Sequence, residues 1–574
     1  MSKQINVLYH NIASSDGDLS VEKRWFLIKN AILVSAHQAI PVRIVKPSKR
    51  TCFLWRYAEI RNILNQKYKI YKKYKNSNDP KHKEIIRKNQ TNAKKAIRRI
   101  KMEIENYIAE SATDRPKIFW RHVRDKLKAP AVVPKIQKPD VSLSCDDYET
   151  ACVLNDFFVS VFTAEPDASN LRFSRSFDCS SKLSYITITP HDIVTVINRL
   201  KKDASPGPDG ISNRLIIEGR TALTNVLADF FNYLLCKGFL PSDWKDANIT
   251  PIHNSGSFAY PNNYRPISLT SSICKIFERI IHRKILSYLD ENDLLASSQH
   301  GFLPRKSCLT AQLDCFESIT KFLDSDMPVD MIYIDFRKAF DSVPHQRLLA
   351  KLSHYGISGS LIDLVSSFLT GRRQRVALRN EYSDWLPVKS GVPQGSVLGP
   401  LFFLLYINDI DNSLPKCNII KFADDIKIFS VVSDSSLQHV INNIATWASH
   451  WLLEIHPNKC NVIHFGYNNN KINYWLDNVS INQVKHVKDL GIYVDEDLKW
   501  SQHCTRVARR AHRLLTIIKK SFTSRCPTIM LKLYKAHLLP IFDYLSPIWS
   551  PYLKVKKRSC HIRKSAKAFY PFFL

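Results

Sequence analysis

Hydrophobic and polar positions alternate along this chain in two ways, and the two patterns separate candidate strands from candidate helices. Short runs rich in β-branched and aromatic residues are typical of strands, and they occur at 331–336, 375–378 and 419–422. Longer segments with apolar residues every three or four positions are typical of helices, and they include 223–237 and 273–288. From about residue 155 onward this alternation predicts a compact α/β region.

The segments on either side of this region predict helices that carry many positive charges. Residues 61–105 have the pattern of long basic helices that are interrupted near 76–80, and tyrosines recur there at 68, 71 and 74, either packing on a neighbour or contacting nucleic acid. After Trp500 one helix face is apolar, through Val507, Ala511, Leu514 and Ile518. The arginines at 506, 509, 510 and 513 fall elsewhere on that helix, which could pack on a core and offer guanidinium groups to phosphates.

The charge balance supports the same interpretation. Lys and Arg exceed Asp and Glu by 83 − 52 = 31, and the isoelectric point is about 9.6. The excess is concentrated in the flanks: residues 61–101 hold fifteen basic residues against two acids, and residues 499–574 hold seventeen against one. Such a distribution favours a polyanionic partner. An ordinary basic protein is the alternative that the mean excess alone leaves open.

Cysteine usage and apolar runs bear on the compartment. The thirteen cysteines are scattered without a CxxC pair, which predicts free thiols in a reducing compartment. The N-terminus lacks an apolar core long enough for a signal peptide, and the longest strongly apolar run, Pro400 to Ile407, is far shorter than a membrane span. We therefore expect a soluble intracellular protein with no membrane partner, in the nucleus or the cytoplasm.

Three aspartates are the candidate chemical centre. Asp335 ends an apolar strand pattern, and Asp424 and Asp425 lie between two β-rich runs, where they would occupy the tip of a hairpin. Each has an ordinary alternative, since Asp335 could cap a helix and the pair could form a plain turn. Together, however, three carboxylates repel one another unless a cation lies between them. Hard divalent ions that take oxygen ligands, as in two-metal catalysis, would supply that cation.

A loop rich in glycine and proline lies between these acids, at 390–400. Its glycines allow close backbone approach to a ligand, and the Gln394 amide can both donate and accept hydrogen bonds. A plain connector is the alternative.

Taken in order, these segments resemble the polymerase region of reverse transcriptases, specifically those of non-LTR (LINE-type, jockey-like) retrotransposons. The resemblance covers roughly residues 150–553. Besides the acids and the loop, it rests on these segments: SPGPDGI at 205–211, NYRPISL at 263–269, QHGFLPRKS at 299–307, FADD at 422–425, NKC at 458–460, HFG at 464–466, LGI at 490–492 with Trp500 and His503, and YLSPIWSP at 544–551.

The resemblance implies an α/β (α+β) palm within a right-hand polymerase of fingers, palm and helical thumb. It also implies boundaries: a basic helical extension or linker at 1–150, a helical lead-in at 151–234, fingers and palm at 235–495, a helical thumb at 496–553 and a divergent basic tail at 554–574. The expected function is RNA-directed DNA polymerisation, in which a nucleotide passes from a dNTP to a DNA 3′-hydroxyl on an RNA template. The partners would be an RNA template, a DNA primer or target and dNTPs, with protein partners unknown.

The family's roles are carried over to matching residues only. Asp335, Asp424 and Asp425 would be catalytic and would bind two Mg²⁺ ions, with Mn²⁺ as a substitute. Nucleotide contacts are expected from Phe336, Phe340, Arg265, Gln394, Gly395 and Lys459, with Phe340 excluding a 2′-hydroxyl, Arg265 contacting the triphosphate and Lys459 protonating pyrophosphate. Template or primer contacts are expected from Gln299, Gly301, Phe302, Arg305, Lys306, Gly491, Arg506, Arg509 and Arg510.

Some positions depart from the family. Asn254 and Arg305 stand where relatives usually carry lysine and glycine, and the apurinic-type endonuclease that normally precedes the polymerase is not recognisable in the first 150 residues. These departures leave a second hypothesis, in which a truncated, inactive remnant only binds nucleic acid. A viral RNA-dependent RNA polymerase is disfavoured by Phe340 and by the Ala-Asp-Asp turn, and nothing in the sequence supports RNase H activity.

Overall fold

The computed structural model describes residues 19–40, 58–77, 80–127, 133–166, 182–414, 417–432 and 436–550. Its helices are α1 Val21–Ala39, α2 Ala58–Ser77, α3 Pro80–Glu110, α4 Pro116–Leu127, α5 Asp147–Ser160, α6 Pro190–Ile197, α7 Asn213–Glu218, α8 Arg220–Lys237, α9 Ser242–Lys245, α10 Ser272–Glu291, α11 Cys308–Asp324, α12 Ala339–Ser342, α13 His345–His354, α14 Ser360–Leu369, α15 Leu398–Ile407, α16 Ser436–His450, α17 Ser501–Ser521, α18 Pro527–Leu533, α19 Leu539–Asp543 and α20 Ser546–Trp549. Its strands are β1 Asp246–His253, β2 Tyr264–Leu269, β3 Val329–Ile334, β4 Arg373–Leu378, β5 Glu381–Tyr382, β6 Leu386–Pro387, β7 Asn418–Phe422, β8 Asp425–Val431, β9 Asn461–Phe465, β10 Trp475–Leu476, β11 Val479–Ser480, β12 Asn482–Gln483, β13 His486–Asp489 and β14 Ile492–Asp495.

The chain groups into two compact units, of which the first comprises residues 1–42 and 133–487. Its central sheet has the strand order β12-β9-β3-β8-β7. Strand β3 lies between β9 and β8 and is antiparallel to both, so that four of its six residues, Val329, Met331, Ile332 and Ile334, are buried apolar side chains. A central strand covered on both faces needs such an apolar run, which is what the sequence pattern predicted.

A second sheet in the same unit has the order β2-β1-β4-β5, with β6 also pairing with β4. Strands β1 and β2 are antiparallel, whereas β1 and β4 run parallel. A small core made by α5 covers this sheet, with Leu154 and Phe158 packing against Ile249 and Val376.

The large core of the first unit includes a helix that the sequence patterns did not predict. In α1, Trp25, Ile28 and Ile32 are at most 3% exposed and belong to that core. The Trp25 indole N–H also donates to the Asp243 carboxylate at 2.9 Å. This segment therefore contributes to the core of the first unit.

The second unit comprises residues 43–132 and 488–574, two segments that are far apart in the sequence. Helices α3 and α4 share a core with the C-terminal helices, in which Ile108 and Phe119 pack with Ile518 and Leu533. The buried Glu105 carboxylate accepts hydrogen bonds from the backbone N–H groups of Thr523 and Ser524, at 2.8 and 2.7 Å. This bonding fixes the loop that follows α17, because it gives two backbone N–H groups of the loop an acceptor.

Several predictions from the pattern are confirmed. The hairpin is present, with Ala423–Asp424 as its two-residue tip and Asp425 as the first residue of β8. The basic segment forms two helices, of which α2 ends at Ser77 and α3 begins at Pro80. On the predicted apolar face of α17, Val507, Ala511 and Ile518 are buried, whereas Leu514 is only partly buried. The mixed helix and sheet class is confirmed, while the fingers, palm and thumb assignment and the proposed boundaries stay predictions. The tail at 554–574 lies outside the described residues, and among the described helices none combines the length and apolarity needed to cross a membrane.

Candidate active site

Strand pairing brings the three predicted acids together at one end of the central sheet. The β3–β8 register runs from Val329 opposite Val431 to Ile334 opposite Ile426. Asp335 directly follows Ile334, Asp425 directly precedes Ile426, and Asp424 lies in the adjoining turn. The charge of Asp335 also acts on the pKa of Asp424. Opposed residues on antiparallel strands have Cα atoms about 5 Å apart. Acids separated by some ninety residues in sequence are thus neighbours in space.

The electrostatics of Asp424 are those expected of crowded carboxylates. Burial raises the pKa of Asp424, and the negative charge of Asp335 raises it further, while the Arg265 guanidinium opposes the rise. The Oδ2 atom of Asp335 is itself buried and has no hydrogen-bond partner among the described residues. The Lys459 ammonium group lies 3.6 Å from that oxygen, beyond hydrogen-bond distance.

This donor set fits a divalent cation better than it fits protein partners. A buried carboxylate oxygen without a donor, next to a second carboxylate whose ionisation is disfavoured, gains from a hard cation between them. Within the described residues no three His, Cys, Asp or Glu side chains are already arranged to hold a metal ion. Coordination would therefore draw Asp335, Asp424 and Asp425 closer together.

The predicted sugar gate, Phe340, is held firmly by other rings. Its ring stacks on Phe403, with centroids 4.4 Å apart and planes 20° apart, and contacts the edge of Phe302 at 6.3 Å. Phe340 is only partly buried, whereas Phe302 is 53% exposed. Stacking on a buried aromatic residue fixes the ring while leaving part of it open to a ligand.

The glycine- and proline-rich loop is bonded directly to the segment that carries Phe340. The N–H of Val392 donates to the Phe340 carbonyl, and the N–H of Gly391 donates to the Val343 carbonyl, both at 2.8 Å. Gly391 has φ +87°, and a Cβ atom there would lie 2.6 Å from the Asp341 carbonyl oxygen. Only glycine meets both conditions without strain.

The same loop orients Gln394. Its Nε2 donates to the Asp341 carboxylate at 2.9 Å, and its carbonyl accepts the N–H of Ser268 on β2 at 2.7 Å. The next residue, Gly395, is exposed. At the other end of the loop, the buried Glu278 carboxylate accepts the N–H groups of Val397 and Leu398 and so caps α15. Sequence patterns did not single out Asp341 or Glu278.

The remaining residues of the first unit that were predicted to contact nucleotide or template differ in their exposure to solvent. Arg265 and Lys459 are exposed beside the acids, whereas Phe336 is 5% exposed, so its ring is packed in the core instead of open to a nucleotide. Gln299 and Gly301 are also buried. Arg305 is exposed, and the Lys306 ammonium group donates to the Ser297 carbonyl at 3.2 Å.

The backbone at Arg305 explains a departure noted in the sequence. Arg305 has φ +61°, in the left-handed region that glycine adopts at little cost. A glycine at this position, usual in the resembled family, therefore suits the local backbone. Arginine adds a positive charge at this position, but its backbone is strained because a residue with a Cβ atom disfavours the left-handed region.

The second unit carries a basic pocket of about 1010 Å³. Its cationic lining comprises Lys488, Arg506, Arg509, Arg510 and Arg513. Trp120, Tyr493 and Tyr544 add aromatic surface, and the Arg506 guanidinium stacks over the Tyr493 ring at 4.1 Å. Such a combination suits a phosphate backbone with neighbouring bases.

Two predicted motifs meet at one wall of this pocket. The Tyr544 hydroxyl donates to the Leu490 carbonyl at 2.7 Å, and its ring lies against Gly491. His503 is buried, which lowers its pKa to about 4, and its Nδ1 accepts the N–H of Tyr493. His503 is therefore a neutral structural group at physiological pH.

Comparison with known proteins finds a matching family in the middle of the chain. The family described as reverse transcriptase (RNA-dependent DNA polymerase) matches residues 252–494. The matched segment contains the three aspartates, Arg265, Phe340, Gln394, Lys459 and Gly491.

The chain is similar to proteins of mobile elements of Drosophila melanogaster. The probable RNA-directed DNA polymerase from transposon BS is 26% identical over 531 residues, covering 86% of this chain and 57% of the relative. The probable RNA-directed DNA polymerase from transposon X-element is 30% identical, covering 63% of this chain and 41% of the relative. The RNA-directed DNA polymerase from mobile element jockey is 26% identical, covering 78% of this chain and 51% of the relative. The chain thus spans about half the length of these relatives.

A solved structure, apo telomerase from Candida Tropicalis truncated from its C-terminal domain, matches with a TM-score of 0.31 and 12% identity, covering 44% of this chain and 53% of that chain. A likeness this low supports no argument about the fold or the function of this chain.

We expect the buried Asp341 carboxyl to make the stability of the first unit depend on pH. Burial raises the pKa of Asp341 to about 6, against the opposing charges of Lys338 and Arg265. Because its folded pKa exceeds its unfolded pKa, the stability it contributes is complete below the unfolded value and is lost as the pH rises through about 6. We expect Asp341→Asn, which keeps an acceptor for Gln394, to raise the free energy of unfolding at pH 8 by about 3 kcal/mol.

Denaturant unfolding of the wild type and of Asp341→Asn at several pH values would measure this. The expected gain in the free energy of unfolding shrinks as the pH falls from 8 to 5, because residue 341 then has a neutral side chain in both folded proteins. A difference that does not vary with pH would show that the carboxyl group is not titrating in the folded protein.

Proposed function

We propose that this chain is an RNA-directed DNA polymerase of a non-LTR retrotransposon, which transfers a nucleotide from a dNTP to a DNA 3′-hydroxyl on an RNA template. The observation that carries the proposal is the β3–β8 pairing, which ends at Ile334 and Ile426, next to Asp335 and Asp425, within the segment that matches the reverse transcriptase family. Nucleotidyl transfer needs carboxylates at one point, basic groups for the triphosphate and a surface for the duplex. Each of these has a counterpart in the described residues.

The three aspartates would hold two divalent ions, Mg²⁺ or, as a substitute, Mn²⁺. Bound ions would activate the 3′-hydroxyl and neutralise charge on the departing pyrophosphate. The protein's own contribution is to hold the carboxylates at rigid strand ends. It also keeps Asp424 partly buried, where electrostatic interactions are strong.

The nucleotide would lie between the acids and the basic groups beside them. Arg265 is exposed and close enough to influence the pKa of Asp424, which suits a contact with the triphosphate. The Lys459 ammonium group, 3.6 Å from Asp335, could donate a proton to pyrophosphate. Phe340 and Gln394, which are linked through the loop at 390–395, would contact the sugar and the base pair.

The basic pocket of the second unit would bind the template–primer duplex. Arg509 and Arg510 are exposed and line the pocket, while Ala511 and Ile518 hold α17 on its core. Guanidinium groups held on a packed helix bind phosphates without first having to be ordered. Contacts with the backbone would make binding largely independent of sequence.

Removing two of these arginines should weaken binding in a salt-dependent way. For Arg509→Ala/Arg510→Ala we expect lower affinity for an RNA–DNA duplex, and a slope of log affinity against log salt that is shallower by roughly 2, since about one counterion is released per phosphate contact. Fluorescence anisotropy over a KCl series would measure both quantities.

The matched control removes the same charge from the same helix outside the pocket, as Lys519→Ala/Lys520→Ala. A smaller change in slope is expected for this pair. An equal loss from both pairs would mean that net charge alone, and not the pocket, determines affinity.

Primer extension tests the proposed activity itself. A labelled DNA primer annealed to RNA should be extended by the full chain in the presence of dNTPs and Mg²⁺, and chelation with EDTA should stop it. Tight binding of the duplex without any extension under these conditions would overturn the proposal.

A further inference from the structure

We propose that Gln299 is a positioning residue that fixes the Ala423–Asp424 turn, an inference that rests on the proposed function. The Oε1 atom of Gln299 accepts the backbone N–H of Ala423 at 3.1 Å and that of Gly301 at 2.7 Å. Gln299 is 2% exposed. Its side chain therefore bonds the turn from inside the protein, and does not face solvent where a template would lie.

The backbone around Gln299 runs alongside the strand that leads into the turn. The N–H of His300 donates to the Lys421 carbonyl at 2.8 Å, and the N–H of Lys421 donates to the Ser298 carbonyl at 2.9 Å. These bonds form an isolated parallel bridge between Gln299 and Lys421. Residues 298–300 thus extend the pairing of β7 on its free side.

Gly301 is required by the same close approach. A Cβ atom at this position would lie 2.5 Å from the backbone nitrogen of Ala423 and 3.1 Å from Oε1 of Gln299. Any side chain would push the turn away from the Gln299 amide. The Gln-X-Gly spacing thus follows from the packing of the two backbones.

The turn itself needs an external restraint. Ala423 has φ +55°, a left-handed conformation that costs a residue with a Cβ atom roughly 1–2 kcal/mol. Such strain persists only where surrounding contacts determine the backbone. The Gln299 bond to the N–H of Ala423 is one such contact, and it acts one residue before Asp424.

A buried ion pair holds both the segment that precedes Gln299 and the strand that precedes Ala423. The Lys421 side chain is 0% exposed and bonds Asp411, and the same Asp411 carboxylate accepts the Ser298 hydroxyl. Lys421 Nζ also donates to the Asn408 carbonyl at 3.2 Å. The segment before Gln299 and the strand before Ala423 are therefore held by one carboxylate.

Gln299→Met tests the inference, because Met has a similar volume but cannot accept the two N–H groups. We expect kcat for primer extension to fall by roughly 10²-fold, the cost of a small misplacement of reacting groups. The KM for dTTP and the Kd for the primer–template duplex should stay within about twofold, since neither ligand touches this side chain. Hydrogen exchange by mass spectrometry should show faster exchange at Ala423, by roughly 10-fold or more, in peptides spanning 418–431.

Two further variants separate this role from a general loss of stability. Gln374 is likewise buried and donates to Asn155 at 3.1 Å, so Gln374→Met should lower the melting temperature without speeding exchange in the 418–431 peptides. Gln299→Glu keeps an acceptor oxygen at the same place and should restore slow exchange at Ala423. Failure of the glutamate variant to restore it would overturn the inference.

The exchange measurement also separates this inference from the proposed activity, because it needs no catalysis. An unchanged Ala423 amide in Gln299→Met, together with weaker duplex binding, would overturn the inference in favour of a template contact. An inactive wild-type chain in which Gln299→Met still speeds exchange would overturn the proposed function, while the bond by which Gln299 fixes the turn would stand.

Discussion

Asp424→Asn is expected to abolish primer extension, with a loss of roughly 10³-fold or more, because one of three charges that would neutralise the metal ions is removed. Asparagine has nearly the same shape, so the hairpin should keep its form. The measurement is single-turnover extension of a DNA primer on RNA at saturating dNTP and Mg²⁺.

Stability provides the check that the loss is chemical. Burial and the charge of Asp335 raise the pKa of Asp424, so its ionised form is disfavoured in the folded protein without metal. The neutral asparagine should therefore leave the melting temperature of the metal-free protein unchanged or higher. Asp326→Asn is the matched control, since Asp326 is exposed and has φ +58°, which asparagine accepts readily. Primer extension by Asp424→Asn at the wild-type rate would refute the assignment of Asp424 as a catalytic residue.

Phe340→Ala is expected to relax the choice between deoxyribonucleotides and ribonucleotides. The ring is fixed against Phe403 at 4.4 Å, so it would meet a 2′-hydroxyl as a rigid surface. Removing it should lower the ratio of kcat/KM for dTTP to that for UTP by roughly 10²-fold, because a clash and not a lost attraction enforces the preference.

Phe340→Tyr is the control, because it retains the ring and should retain the preference for dTTP. The loss in the alanine variant should come mainly from faster incorporation of UTP. A ratio that is the same in the wild type and in Phe340→Ala would contradict the gate and place sugar selection elsewhere.

Local patterns in the sequence predicted the parts of the site that depend on neighbours along the chain. The hairpin tip at Asp424, the strand end at Asp335 and the buried face of α17 are all determined by residues within a few positions. The alternation of apolar and polar residues and the residue preferences of turns act over such short distances, so a single sequence is enough to predict these features.

Contacts between distant residues were not predictable in this way. Gln299 was expected to contact the template, but it lies 124 positions from Ala423, and its burial depends on how β7 approaches residues 298–300. Asp341 and Gln394 are 53 positions apart, and Glu105 and Thr523 are 418 apart. A polar residue gives no local signal of whether tertiary packing will bury it.

The central claim is that three acids distant in sequence form one metal-binding point. Fe²⁺ with peroxide, used in place of Mg²⁺, cleaves a polypeptide backbone only next to the bound ion. We predict cuts near both Asp335 and Asp424 in the same preparation, suppressed by excess Mg²⁺ and absent in Asp424→Asn. Cuts near only one of these positions, or cuts that survive in the variant, would contradict the claim.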